Sequence, residues 1–259
     1  MAPRSLVLAI LLASAASACK PEPKVDPVEE AAKRKRDLDN ARIRLRDGKI
    51  DDAEILLKSV LAGEPQNPAA LHGMARVHYE RKEYAKACEL AAKAIAGDAA
   101  VADYHATLGD CSAWQDKHAE AAAAYGKAFE LAPTDGDLGL KQGIQLKNAK
   151  DFAKAEEVLR KVVEVDIKAR FVLCELGDVL REQGRLDEAL TTYMKAQIEN
   201  ADDKMAYAGA ALTYEAKGDT KHALDQWSTY IRMDCCSEYS KTVAREKMLK
   251  LGGTPPAEG

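Results

Sequence analysis

At 259 residues, with 47% hydrophobic and 31% charged side chains but only 5% aromatic, the chain has apolar material for a core and few of the β-branched and aromatic runs that build strands. A formal charge of −4 argues against a nucleic-acid partner, which calls for a basic surface. The composition points to helix packed on helix.

In chain order, the first element is a leader: Arg4, an apolar run from Leu6 to Ala13, then small residues. This is the layout of a secretory signal, too short to span a bilayer, so residues 1–18 are set apart from the fold. The segment Ala16-Ser17-Ala18-Cys19 resembles a bacterial lipobox, which implies a diacylated Cys19 as the first mature residue. Two acyl chains, at about 0.8 kcal/mol per buried CH₂, hold a protein at a membrane where one does not. Ala16 stands where leucine is commonest, and Ala16-x-Ala18 also fits an ordinary signal-peptidase site, so a free periplasmic protein is the alternative. Lys20, not Asp, follows the cysteine, and by resemblance to enterobacterial lipoproteins this implies an outer-membrane lipoprotein facing the periplasm. Pro21, Pro23 and Pro27 make residues 19–27 an extended tether. Asp26 as N-cap, Pro27 in the first turn and Glu29 predict a helix opening near Val28.

From Arg34 to Ser237 the sequence matches itself at a period of 34 residues, six times without insertion or deletion. The frames are 34–67, 68–101, 102–135, 136–169, 170–203 and 204–237. One column reads Ala53, Ala87, Ala121, Ala155, Ala189, Ala223, and twelve residues ahead of it every residue is small: Ala41, Ala75, Gly109, Gly143, Gly177, Ala211. Glycine inside a helix costs about 1 kcal/mol relative to alanine, so three at one phase predict a close approach of two helices. Four residues after the alanine column come Leu57, Ala91, Tyr125, Leu159, Tyr193 and Trp227, and three further on Val60, Ala94, Ala128, Val162, Ala196 and Tyr230. These spacings make one helical stripe. Gly48, Asp116, Gly184 and Gly218 mark turns within repeats, and Pro65 and Pro133 close two of them.

These columns together resemble the tetratricopeptide repeat (TPR) family, with Leu108, Gly109, Ala121, Tyr125, Ala128 and Pro133 of the third repeat as the best match. The resemblance implies an all-α, right-handed superhelical TPR solenoid of six helix-turn-helix repeats plus a C-terminal capping helix, a fold whose repeats are stabilised by stacking on their neighbours. Ala99, Ile167, Ala201 and Cys235 replace the closing proline, and Asp37, Asn40 and Arg44 stand where apolar residues are usual, which predicts a shifted or frayed first helix. Residues 238–251 supply the cap, with Val243, Ala244, Met248 and Leu251 on one side and Gly252-Gly253 as the stop; residues 252–259 are expected to be disordered.

No phosphate-binding glycine loop, metal-spaced histidine pair or nucleophile elbow is present. The expectation is a protein that is not an enzyme and takes neither cofactor nor metal. His72, His78, His105, His118 and His222 scatter over the repeat phases and read as packing or surface residues. Five cysteines follow Cys19, and export would expose them to an oxidising compartment. The family geometry implies that Cys88 and Cys111 meet between the second and third repeats as a disulfide, the alternative being two small buried side chains. Cys235 and Cys236, adjacent in sequence, read as a free or intermolecular thiol pair.

In TPR proteins the first helix of each repeat lines a concave groove. Carried over by offset, the partner-binding residues are His72, Arg76, Tyr79, Asp110 and Trp114 in the first half. In the second half they are Leu140, Ile144, Phe171, Met205 and Leu212, with Asp178 and Arg181 alongside. The groove is expected to become apolar towards the C-terminus. The lysine and asparagine set of relatives that grip a C-terminal carboxylate is absent. Six repeats on a lipoprotein of this size resemble, in architecture, the pilotins of type IV pilus systems. That implies envelope proteins such as a secretin as partners, with the membrane reached through the N-terminal lipid.

Overall fold

The computed structural model describes residues 26–165, 171–234 and 237–256. The leader, Cys19 and most of the tether, Ile167, the Cys235–Cys236 pair and residues 257–259 lie outside them. Among the described residues there is no strand, and no helix is long and apolar enough to cross a membrane.

Twelve helices form six hairpins: α1 (Pro27–Arg46) with α2 (Ile50–Gly63), α3 (Pro68–Glu80) with α4 (Tyr84–Gly97), α5 (Ala102–Ala113) with α6 (His118–Leu131), α7 (Gly136–Asn148) with α8 (Phe152–Val165), α9 (Val172–Glu182) with α10 (Leu186–Glu199), and α11 (Lys204–Lys217) with α12 (Thr220–Met233). Each turn within a hairpin is built the same way. A residue with positive φ recurs every 34 positions, at Gly48, Lys82, Asp116, Lys150, Gly184 and Gly218. At Gly184, for example, its N–H reaches the carbonyl of Arg181 (2.9 Å) while Arg185 N–H reaches that of Leu180 (2.9 Å). This is the Schellman closure that satisfies the last carbonyls of a helix.

Packing follows the columns. All six alanines from Ala53 to Ala223 are fully buried. A Cβ added to Gly109 would lie 2.8 Å from the Tyr125 ring, and one on Gly177 would lie 2.7 Å from Tyr193. Leading and trailing helices thus approach at the small residue, with the large residue sixteen positions later folded over it. Leu57 and Leu159, with at most 2% exposure, each contribute about 1.5–3 kcal/mol by leaving water.

Two expectations need correction. The first helix is neither shifted nor frayed: α1 is continuous, opened by Asp26, whose carboxylate accepts from Val28 N–H at 2.9 Å. Its polar positions Asp37, Asn40 and Arg44 are half-buried or exposed, and Asp37 accepts from Ser59 Oγ at 3.3 Å. Nor does order stop at Gly252. Gly253 lies against Leu224, and Pro255 and Pro256 are half-buried, because a Schellman turn at Gly252 (φ +80°) directs the chain back over α12.

Gly252 is itself 34 residues after Gly218, so the cap is the leading helix of an incomplete seventh repeat. It comprises a π-helical turn, Ser240–Ala244, running into α13 (Arg245–Lys250). Arg245 occupies the small-residue phase, 34 positions after Ala211. At the wider turn Ala244, fully buried, joins the cluster of Trp227, Tyr230 and Met248.

Candidate protein-binding groove

The odd-numbered helices α1, α3 and α5 touch in succession, as do α7, α9 and α11, whereas the even-numbered helices make no comparable contact with one another. The odd helices therefore form the inner wall of the curve and bear the groove.

At the N-terminal end, α1, α3 and α5 enclose a cavity of about 260 Å³ with Leu45 and Leu57 in its lining and Arg42 and Arg76 among its polar groups. His72 sits within it, its Nε2 2.9 Å from Thr107 Oγ1 and its ring 4.7 Å from that of Tyr104. Burial, then the neighbouring Arg76 guanidinium, lower its pKa to about 4, so His72 is neutral at physiological pH. Beside this cavity, Trp114 donates from Nε1 to Tyr79 Oη at 2.7 Å and stacks on Tyr84 at 5.5 Å and 3°. Trp114 remains 63% exposed, so the three rings form a platform joining the second and third repeats. The same joint holds the Cys88–Cys111 disulfide, with Cα atoms 5.7 Å apart.

In the third, fifth and sixth repeats a different device recurs. An aromatic side chain on the trailing helix donates to a carboxylate on the leading helix, and a cation answers it. Tyr125 Oη donates to Asp110 (2.6 Å), which Lys141 pairs at 3.3 Å. Tyr193 Oη donates to Asp178 (2.6 Å), with Lys147 at 3.4 Å and Arg181 at 3.5 Å, and Lys147 also bonds Glu175 at 2.5 Å. Trp227 Nε1 donates to Glu215 (2.6 Å), paired with Lys247 at 3.0 Å. Burial and the adjacent carboxylates push the Tyr125 and Tyr193 hydroxyls far above the ordinary tyrosine range. Burial lowers the Lys147 pKa, but Asp178 and Glu175 more than offset it.

This changes the expected site. Leu140 is buried (7%) in the core cluster that contains Leu173 and Leu176, so it is not a groove contact. Ile144 packs against the same cluster, and Leu212 against the one around Trp227. Offset alone does not distinguish a residue facing the groove from one turned into the next hairpin. Asp178 and Arg181 belong to the ion network. Phe171 (38% exposed) caps α9 with φ +69°, and Met205 is 51% exposed at the start of α11. The C-terminal half therefore presents isolated apolar residues on a polar, self-paired wall, not a continuous apolar strip. Arg42 and the Lys141 and Lys147 pairings were missed from sequence; the signal for Arg42 was its place 34 residues before Arg76. Cys174, also unforeseen, is buried and donates to Asp203 at 3.2 Å, its thiol pKa raised by burial. Among the described residues no group of three or more His, Cys, Asp or Glu could hold a metal.

Tetratricopeptide-repeat profiles match residues 44–111 and, in two overlapping segments, 140–204 and 174–232. The chain belongs to the TPR family. A curated relative, anaphase-promoting complex subunit 3 of Schizosaccharomyces pombe, is 25% identical over 56% of this chain, which spans 21% of that protein's length. Among solved structures, the C-terminal part of a TPR repeat-containing protein from Cytophaga hutchinsonii superposes with a TM-score of 0.69 at 16% identity, covering 83% of this chain and 87% of the other. Pseudomonas aeruginosa PilF gives 0.66 at 19% identity over 84% and 99%. YrrB, described as a TPR protein with an unusual peptide-binding site, gives 0.61 at 20% identity over 73% and 97%. These likenesses establish a TPR solenoid, and TPR solenoids are scaffolds that bind other proteins.

Proposed function

We propose that this TPR protein is an outer-membrane lipoprotein, anchored through Cys19 and facing the periplasm, that assists assembly of a multiprotein envelope complex such as a pilus secretin. The observation that carries the reading is the coupling of a leader over residues 1–18, followed by Cys19, to a solenoid holding the Cys88–Cys111 disulfide; stable disulfides belong to oxidising compartments. The architecture shared with PilF supports the pilus role. The site acts by recognition: exposed Trp114 and half-buried Tyr79 supply the aromatic anchors that dominate protein interfaces.

Deleting the gene in its native host and scoring detergent-resistant secretin multimers in the outer-membrane fraction tests the role. Loss of multimers, restored by wild type but not by Trp114→Ala, is expected. Unchanged multimers in the deletion strain would refute the secretin assignment. Cys19→Ala should release the protein from membranes; a variant that still sediments with them would refute the lipid anchor.

A further inference from the structure

The cavity enclosed by α1, α3 and α5 contains charge that the protein itself does not neutralise. We propose that this end of the groove receives an acidic, extended polypeptide segment, with Arg42 and Arg76 taking its side-chain carboxylates above an apolar floor. This deepens the scaffold reading and rests on it, by naming the chemistry of the partner.

Neither Arg42 nor Arg76 has a hydrogen bond or ion pair among the described residues. Arg34, Arg44, Arg81, Arg160, Arg181 and Arg185 all reach a carboxylate; of the other arginines without an ion pair among the described residues, Arg36, Arg232 and Arg245, none lines this cavity. Arg76 is half-buried, and a partly desolvated guanidinium with five unused donors is the group that gains most from a carboxylate. The one acidic residue in the lining, Asp103, is outnumbered by the two arginines. Around them, residues 33–49 carry eight basic against three acidic side chains, although the whole chain has a net charge of −4. The field is felt inside the cavity, where both guanidiniums disfavour protonation of His72.

The geometry selects an extended chain. Arg42 and Arg76 share one phase of the repeat on neighbouring helices, which pack about 8–10 Å apart. In an extended segment, side chains two residues apart share one face about 7 Å apart, so alternate acidic residues reach both arginines through their flexible side chains while the apolar residues between them lie toward the Leu45 and Leu57 side of the cavity. This differs from gripping a chain terminus, since the lysine and asparagine set for that task is absent. An anionic membrane surface is the less favoured occupant, because the two arginines line a concavity that a flat bilayer cannot enter.

The experiment measures fluorescence anisotropy of a fluorescein-labelled twelve-residue peptide alternating Glu with Leu and Thr, its Gln counterpart as control, against the mature full chain. Saturable binding of the Glu peptide and none of the Gln peptide is expected. Arg42→Ala with Arg76→Ala should weaken binding about tenfold or more at an unchanged melting temperature, and Arg42→Lys with Arg76→Lys should retain most of it. Equal binding of both peptides, or wild-type affinity in the double alanine variant, would overturn the proposal. So would cosedimentation with phosphatidylglycerol vesicles but no peptide binding, which would assign the arginines to lipid. Should the peptide fail while secretin multimers still depend on the gene, the acidic-segment assignment falls and the scaffold role stands.

Discussion

The two ends of the groove solve the same electrostatic problem differently. From the middle of the chain to its C-terminal end every inward carboxylate of the recurring device is answered by an aromatic hydroxyl or indole N–H and by a cation: Asp110 by Lys141, Asp178 by Lys147 and Arg181, Glu215 by Lys247. In the N-terminal half Arg42 and Arg76 have no answering acid, and a disulfide stitches the joint beside them. A wall that satisfies its own charges is stable and presents little to a ligand. A wall that leaves charge unpaired gives up stability and keeps its donors free, so on the proposed reading the N-terminal end recognises and the C-terminal end supports.

The support half should therefore be the more damaging place to cut. Trp227→Ala removes a fully buried side chain that anchors α12, the Glu215–Lys247 pair and the cap. The expected cost is about 3–5 kcal/mol, read by denaturant unfolding. Hydrogen exchange should show α11 to α13 opening ahead of α3 to α6. Uniform destabilisation along the chain would contradict local support by neighbouring repeats.

In the N-terminal half, Cys88→Ala with Cys111→Ala opens a link of 23 residues' separation and should cost about 3 kcal/mol. Peptide binding should loosen with it if the bridge holds the Tyr79–Tyr84–Trp114 platform in place. A melt unchanged by reductant would show that stacking alone secures this joint.

Acid should separate the two ends further. Because His72 titrates at about 4 in the fold and near 6.5 when unfolded, the unfolded chain binds more protons between those values. Its contribution is complete above about pH 6.5 and is lost as pH falls towards 4, by at most about 3 kcal/mol. The groups facing it are Arg76, Arg42 and Asp103. His72→Gln should flatten the stability profile over that window. Glu54, held near 2 chiefly by hydrogen bonds from Arg81 and Lys58, loses its contribution only at lower pH, as the solution passes from its ordinary value of 4.5 down through 2, so the two effects separate on the pH axis.

How much of this could be read from the sequence follows from what repeats. The alanine and small-residue columns are legible because backbone approach admits no alternative, and the fold followed from them. Leu140 was misplaced because leucine suits either an exposed groove or a core, and only the neighbouring hairpin decides which. The closed ion network was hidden for a related reason: Lys141 and Lys147 sit at different phases of the frame, and each finds its acid across a repeat boundary. The π-turn before α13 was invisible, since Arg245 at the small-residue phase carries no sequence sign that Ala244, one residue earlier, is the side chain buried there.

The smallest effect is also the sharpest test of the periodic backbone. Glycine was legible at three of the six hairpin turns, and Asp116, which tolerates the left-handed region better than most residues, at a fourth. Lys82 (φ +61°) and Lys150 (φ +61°) give no such sign, yet they hold the same conformation at the same phase. For a residue with a Cβ this conformation costs about 1 kcal/mol relative to glycine, which the surrounding Schellman bonds overcome. Lys82→Gly and Lys150→Gly should each stabilise the protein by up to about 1 kcal/mol, less whatever glycine adds to the entropy of the unfolded chain, as measured by urea unfolding. The gain at Lys150 should appear in the exchange of α7 to α10 and that at Lys82 in α3 to α6, because a repeat transmits stability mainly to its neighbours. Equal protection of both halves by either substitution would show that the solenoid unfolds as one unit, and the division between a supporting end and a recognising end would then be one of charge alone.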